Sequence, residues 1–211
     1  MTSQTALATS ELAAAPARLD AAAAQLLFHD ARTHMAWNGQ PVSDEELRLI
    51  YEHARMGPTS MNSSPLRIVF VKSEAAKARL LPAIAPLNID KVKTAPVTAI
   101  FAYDSRFNEE LPRLFPQKDV KPIFAQMPEE NRLRMAEQSA LLQGGYAILA
   151  ARGLGLDVGP LGGFDRAKVD ETFFPDGRWR TMILVNLGHG DASRLHPRNP
   201  RLSFEEAARI E

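Results

Sequence analysis

"SDEELRLIYEHARMGPTSMNSSPLRIVFV", residues 43–71, decides how the chain is read. Its first half pairs Ser43 with Glu46, the spacing of a capping box, and carries an apolar stripe at Leu47, Ile50 and Ala54. Those are the marks of an amphipathic helix. Gly57 stands where that helix should stop, in the C′ position that a left-handed residue favours. "LRIVFV", residues 66–71, is a short β-branched run and predicts a strand. Between them lies "GPTSMNSSP", residues 57–65, with Thr59, Ser60, Ser63, Ser64 and Asn62 among two prolines and no acid or base. A turn can be made with fewer such residues. The surplus hydroxyls and amide suit a loop that stops a helix and also lines a ligand.

Working outward, "LDAAAAQLLFHDA" (19–31) reads as a first helix, and Asn38-Gly39 as a turn. "SEAAKARLLPAI" (73–84) is a second capped helix, and "APVTAIFAYD" (95–104), almost continuously apolar, a buried strand. Residues 104–128 are broken by Pro112, Pro116, Pro122 and Pro128 and carry several charges, which predicts an excursion or lid outside the core. A helix of about 22 residues follows, ending at Gly153 or Gly155. Asp165 caps "RAKVDETFF", "WRTMILVNLGHG" (179–190) is the last clear strand, and Ser203 with Glu206 caps a final helix. The order has no strict βαβ alternation, so the fold class expected is α+β. Residues 1–18, rich in Ala, Thr and Ser, read as a mobile tail before a single domain over 19–211.

Composition narrows the function. With 211 residues the chain suits one substantial domain, and 25 basic against 25 acidic residues argue against a nucleic-acid partner. No apolar run is long enough to span a membrane, and the first residues lack a basic, then apolar, leader, so the location expected is cytoplasmic. Without cysteine, thiolate ligands and dithiol redox chemistry are excluded, so any electron transfer needs a bound cofactor. G-x-S-x-G and P-loop motifs are missing. The glycines of "GLGLDVGPLGG" (153–163) lack dinucleotide-binding spacing and follow a helix. The five histidines show no ligand spacing, and no metal is expected.

Four stretches remain, each at an element junction. Arg32, Thr33 and His34 in "ARTHMAWNG" offer the fork, hydroxyl and donor that a phosphate takes. Thr59, Ser60 and Asn62 can bond the edge of a flat heterocycle or a sugar chain. In "GPLGGF" (159–164), Gly162 and Gly163 let bare backbone approach a ligand. Arg198 in "HPRNPRLSFEE" is a second candidate phosphate cation. Each also has a plain structural reading, as helix end, turn or surface residue.

In this order the stretches resemble the FMN-dependent nitroreductase superfamily. "GPTSMNSSP" and "GPLGGFD" resemble the superfamily, and "ARTHMAW" with the Pro-rich 104–128 segment resembles its malonic semialdehyde reductases of uracil degradation. The resemblance runs from about residue 20 to the end of the chain. It implies a central, mostly antiparallel sheet flanked by helices in an intertwined homodimer, with FMN at the interface and NADPH or NADH as co-substrate. By motif, Arg32, Thr33, His34 and Arg198 would follow the phosphate and ribityl chain, and Thr59, Ser60 and Asn62 would approach the flavin. Asn88 and Lys91 of "LNIDK" would meet the pyrimidine side, and Pro160, Leu161, Gly162 and Gly163 the face where hydride moves. Gly144-Gly145 would let two long helices approach closely. Many relatives have an acid at the place of Gly162 and Gln-Pro-Trp at that of "SPL", which weakens a nitroaromatic assignment. The implied reaction reduces malonic semialdehyde to 3-hydroxypropanoate by ping-pong hydride transfer, with no catalytic side chain identified. The alternatives are a broad-specificity nitroaromatic or quinone reductase and a flavin-binding protein without catalysis.

Overall fold

A computed structural model of the chain describes residues 18–211; the expected tail, Arg18 apart, lies outside the described residues. Four strands, β1 (Leu66–Val71), β2 (Val97–Asp104), β3 (Asp157–Leu161) and β4 (Trp179–Gly188), form one sheet in the order β1-β2-β4-β3, every neighbour antiparallel. Around it run α1 (Ala21–Ala24, extended by a wide turn over Gln25–His29), α2 (Asp44–Ala54), α3 (Glu74–Leu80) and α4 (Ile89–Thr94). The rest are α5 (Leu111–Leu114), α6 (Lys121–Gln126), α7 (Glu129–Gly153), α8 (Arg166–Phe173) and α9 (Phe204–Ala207).

β2 explains the layering. All eight of its residues are buried. Val97, Ala99, Phe101 and Tyr103 pack with α2 and α7, while Ile100 and Ala102 pack with α3, α4 and α8. A strand walled on both faces has no polar side to show, which is why its sequence is nearly continuous apolar. The expected caps form: Ser43 and Glu46 close a reciprocal box on α2, Ser203 and Glu206 do so on α9, and Asp165 accepts from the Lys168 amide.

Four expectations change. Gly57 is not left-handed; a Cβ there would lie 3.1 Å from Tyr146 Cγ and 3.2 Å from Gln143 Cα, so it is small to let α2 meet α7. α7 is 25 residues long, and Gly155, at φ +78°, makes the left-handed exit after it. Asp157–Leu161 is a strand and not a connection; Pro160 is tolerated because β3 is an edge strand and loses no ladder donor. The 104–128 excursion is not outside the core: Phe107, Leu111, Val120 and Phe124 are buried in it, with Phe107 and Phe124 edge to face at 5.5 Å. The two central glycines divide. Gly144 presses on Phe101, 3.2 Å from a would-be Cβ, whereas Gly145 faces open space.

Asp104 ties the excursion to the sheet. Its carboxylate, 1% exposed, accepts from Arg67 Nη2 at 2.8 Å, from Arg178 Nε at 3.0 Å and from the Arg106 amide at 2.9 Å. If it goes, half-buried Arg67 loses its counter-charge and half-buried Arg178 keeps only Glu109, at 3.3 Å. Asp104→Ala should lower the unfolding free energy by about 3–5 kcal/mol, measured as a lower urea midpoint at unchanged slope. A change under about 1 kcal/mol, the worth of an exposed pair, would show the triad to be dispensable.

Candidate functional site

The segment after α1 runs along the outer edge of β3. Thr33 bridges Val158 in parallel sense, the His34 amide donates to the Val158 carbonyl at 3.0 Å, and the Asn38 amide donates to the His189 carbonyl at 2.9 Å. Three glycines are small because this segment packs on them. A Cβ on Gly159 would fall 2.4 Å from the His34 carbonyl oxygen, one on Gly188 2.9 Å from Trp37 Cε3 and 2.7 Å from Pro96 Cδ before β2, and one on Gly190 inside the His34 ring. Gly162 differs: nothing lies within 4 Å of its would-be Cβ. Of these four glycines, Gly162 is the one that leaves room for a molecule from outside.

His34 turns inward. It is 6% exposed, with Nε2 3.3 Å from Asp157 Oδ1, while Asp157 Oδ2 accepts from the Gly190 amide at 2.9 Å. Its Nδ1 has no hydrogen-bond partner among the described residues. Thr33 is exposed and Arg32 half-buried. Arg32 Nη2 donates to the His196 carbonyl at 2.5 Å, and Arg198 Nη2 to the carbonyls of His29 at 2.6 Å and Ala31 at 3.2 Å. These reciprocal bonds bring two guanidiniums from opposite ends of the chain to one place. Each guanidinium has five N–H donors, so others remain for an anion.

Asn88, Lys91 and Gly163 also meet. The Gly163 carbonyl accepts from the Ala85 amide at 3.0 Å and from Asn88 Nδ2 at 3.2 Å, and Asn88 Oδ1 accepts from Lys91 Nζ at 2.9 Å. A Cβ on Gly163 would strike Asn88 Nδ2 at 2.3 Å. Asn186 Nδ2 fixes the Lys91 carbonyl at 3.1 Å, so the lysine's backbone is anchored to β4. Leu161 points into the core with α3 and α8, and Pro160 is half-buried, leaving backbone as their means of meeting a ligand.

The 57–65 loop is elsewhere. Thr59 Oγ1 accepts from the Ser64 amide at 3.1 Å, the Ser60 amide donates to Ser139 Oγ of α7 at 3.3 Å, and Asn62 Nδ2 donates to the Leu114 carbonyl at 2.8 Å. Met61, Asn62 and Ser64 have φ of 52°, 49° and 41°. Left-handed backbone at three side-chain-bearing residues is costly, and such strain persists where the surroundings impose it. This loop leads into β1, one edge of the sheet, on the α7 face; Gly162 and Gly163 leave β3, the other edge, beside α4. Three strand spacings put those edges about 14 Å apart.

Several residues that hold these groups in place were missed in the sequence: Asp157, Ser139, Gln143, which accepts from the Leu66 amide at 3.2 Å, and the Leu114 carbonyl. Ser139 and Gln143 stand four apart on the buried side of α7, a polar pair among alanines that marks a bond to something outside the helix. Among the described residues no cluster of His, Asp or Glu could hold a metal, and no helix is long and apolar enough to cross a membrane.

The sequence pattern of the Nitroreductase family matches residues 30–189. The chain belongs to the nitroreductase family. A protein of Ralstonia nicotianae named "Putative NADH dehydrogenase/NAD(P)H nitroreductase" is 52% identical over 185 residues, 87% of this chain and 94% of its own. One of the same name from Rhodopseudomonas palustris is 52% identical over 184 residues, 87% of this chain and 93% of its own. In the crystal structure of a nitroreductase from Exiguobacterium sibiricum, named as putative and solved in complex with FMN, the fold is the same. Its TM-score is 0.80 at 22% identity, covering 88% of this chain and 95% of that one. The nitroreductase match takes in Arg32, the 57–65 loop, Asn88, Lys91 and Gly163, and stops short of Arg198.

The glycines give a paired prediction. Gly159→Ala, with no room beside the His34 carbonyl, should lose about 1–3 kcal/mol of stability, as overpacking does. Gly162→Ala should stay within about 0.5 kcal/mol of the parent. Thermal unfolding of the two variants checks this; equal shifts would refute the division.

Proposed function

We propose that residues 19–211 act as one domain of a homodimer that holds FMN between its subunits and works as an NAD(P)H-dependent oxidoreductase in the cytoplasm. One observation carries this: the two groups suited to a flavin stand at opposite edges and on opposite faces of one sheet. A single ring cannot touch both in one chain, but it can lie between the β3 edge of one copy and the 57–65 loop of another. A further support is the side of α7 that carries Leu141, Leu142 and Tyr146, all exposed, around the open Gly145. Apolar side chains grouped on one helix face suit burial against a second copy.

The residues fit FMN. Gly162 leaves the β3 exit open, Lys91 and Asn88 converge beside it, and two arginines meet at the α1 end of the same edge. Arg32 and Arg198 would hold the phosphate, Lys91 would set a cation against the pyrimidine edge, and Thr59, Ser60 and Asn62 of the second copy would close the other side. Bound there, FMN supplies a two-electron carrier that takes hydride from NADH or NADPH and gives it to an acceptor. His34, enclosed by the protein and paired with Asp157, is not placed to give the acceptor its proton.

For the acceptor we infer malonic semialdehyde. Its carbonyl carbon takes the hydride and its oxygen a proton, giving 3-hydroxypropanoate, as part of uracil breakdown. The resemblance in "ARTHMAW" and the 104–128 segment supports it. The names of the relatives at 52% identity favour a second reading, a broad nitroaromatic or quinone reductase.

Anaerobic stopped-flow absorbance of the purified protein tests both. Bleaching of the flavin band by NADH or NADPH, then rapid recovery on adding malonic semialdehyde, is the expected result. Bleaching with recovery by nitroaromatics or quinones alone would move the assignment to the second reading. Bleaching with no recovery by any acceptor would leave a flavin-binding protein without this catalysis.

A further inference from the structure

We propose that Lys118 and Lys121 form the cationic wall that receives the carboxylate of the acceptor. This rests on the reading that the 57–65 loop lines the flavin. Two concavities flank the α5 side of that loop. The larger, about 530 Å³, holds Arg55, Arg67 and Arg113, but each is already paired: with Glu52 at 2.7 Å, Asp104 at 2.8 Å and Glu110 at 2.9 Å. The smaller, about 240 Å³, is floored by Pro112, Phe115, Pro116 and Val120 and carries Lys118, Asp119 and Lys121. Neither lysine has a carboxylate partner among the described residues. Asp119 is turned to the backbone, where Oδ1 accepts from the Lys121 amide at 3.0 Å.

Asn62 Nδ2 holds the Leu114 carbonyl; Ser64 and Leu114 line the larger concavity, and Phe115, the next residue, lines the smaller, so the small one is joined to the loop through α5. Leu111, Val120 and Phe124 anchor the segment in the core on either side. Pro112, Pro116 and Pro122 restrict its backbone. The backbone of the wall is held, while the exposed side chains of Lys118 and Lys121 are free to turn toward an anion, so the ordering lost on binding is confined to those two side chains. Two ammonium groups over apolar carbon suit a small acid with a short carbon chain; a neutral acceptor gains nothing from them. The site therefore selects acceptors by their acid group, while the hydride chemistry stays the same for all.

The test compares each acid with its neutral twin in the FMN-loaded enzyme: malonic semialdehyde with propanal, and 4-nitrobenzoate with nitrobenzene. For Lys118→Ala/Lys121→Ala the expected result is a loss of about tenfold or more in kcat/KM for the acids, mostly in KM, as a charge-assisted bond is lost. The neutral twins should stay within about twofold, and NAD(P)H should reduce the flavin at the parent rate. Inhibition by malonate should weaken to match, and Lys118→Arg/Lys121→Arg should recover the parent values. Equal losses for acids and neutral twins, or no loss for either, would overturn the proposal, as would a parent enzyme that turns over neither acid. If 4-nitrobenzoate shows the effect and malonic semialdehyde is not turned over, the aldehyde assignment fails and the wall stands. If malonic semialdehyde is turned over with no effect, the reverse holds.

Discussion

The burial of β2 on both faces is the constraint from which the rest follows. Eight consecutive residues are enclosed, by α2 and α7 on one side and by α3, α4 and α8 on the other. The middle of a sheet walled in this way has no open face on which to build a site, and the partly open surface lies at the β1 edge, half-buried over Arg67–Phe70. Polar chemistry is left with its edges, its ends and the loops that leave them. The groups that could hold a ligand collect in those places: one beside β1, the other two along β3 and the segment that packs on it. Those edges cannot approach each other in one chain without breaking the sheet, and the proposed dimer would bring them together by setting the β3 edge of one copy against the 57–65 loop of the other.

The same pressure sorts the glycines. Around β3, Gly159, Gly188 and Gly190 are small because residues 33–38 lie on them, and their tightness fixes where Arg32 emerges. Gly163 is small because Asn88 is there, and that contact carries Lys91 with it. Gly162 is left facing open space. A glycine-rich run is therefore a record of close approach, and what approaches differs from one position to the next. The strained 57–65 loop obeys a related rule. Its bonds to Ser139 and to the Leu114 carbonyl come from α7 and α5, so rigid helices keep its backbone left-handed.

Much of this was legible in the sequence. The α+β class, the caps at Ser43, Ser73, Asp165 and Ser203, the strand over 97–104 and the helix before Gly155 follow from local rules, because each depends on residues a few positions apart. Asn88 and Lys91 follow from the family resemblance and from no local pattern; the fold sets Asn88 against Gly163 and Lys91 against Asn88, and their contact with a flavin belongs to the proposal. What escaped depends on distant contacts. β3 hides behind Gly159 and Pro160, residues that local propensity assigns to turns, and forms because β4 offers it a ladder. Residues 104–128 look like an exposed excursion because of their prolines, yet Phe107, Leu111, Phe115, Val120 and Phe124, four or five positions apart, enter or pack against the core. The pairing of His34 with Asp157 spans more than a hundred positions and has no local signal.

The central claim, a site shared between two copies, is tested most directly by complementation. One variant carries Thr59→Ala, Ser60→Ala and Asn62→Ala, the other Asn88→Ala and Lys91→Ala, with different affinity tags, and mixed dimers are isolated by both tags. Each parent should retain little FMN. If sites are shared, a mixed dimer has one site with both faults and one with none, and should hold about half the FMN of the wild type. Mixed dimers as flavin-poor as their parents, or a protein that is monomeric with FMN bound, would contradict it.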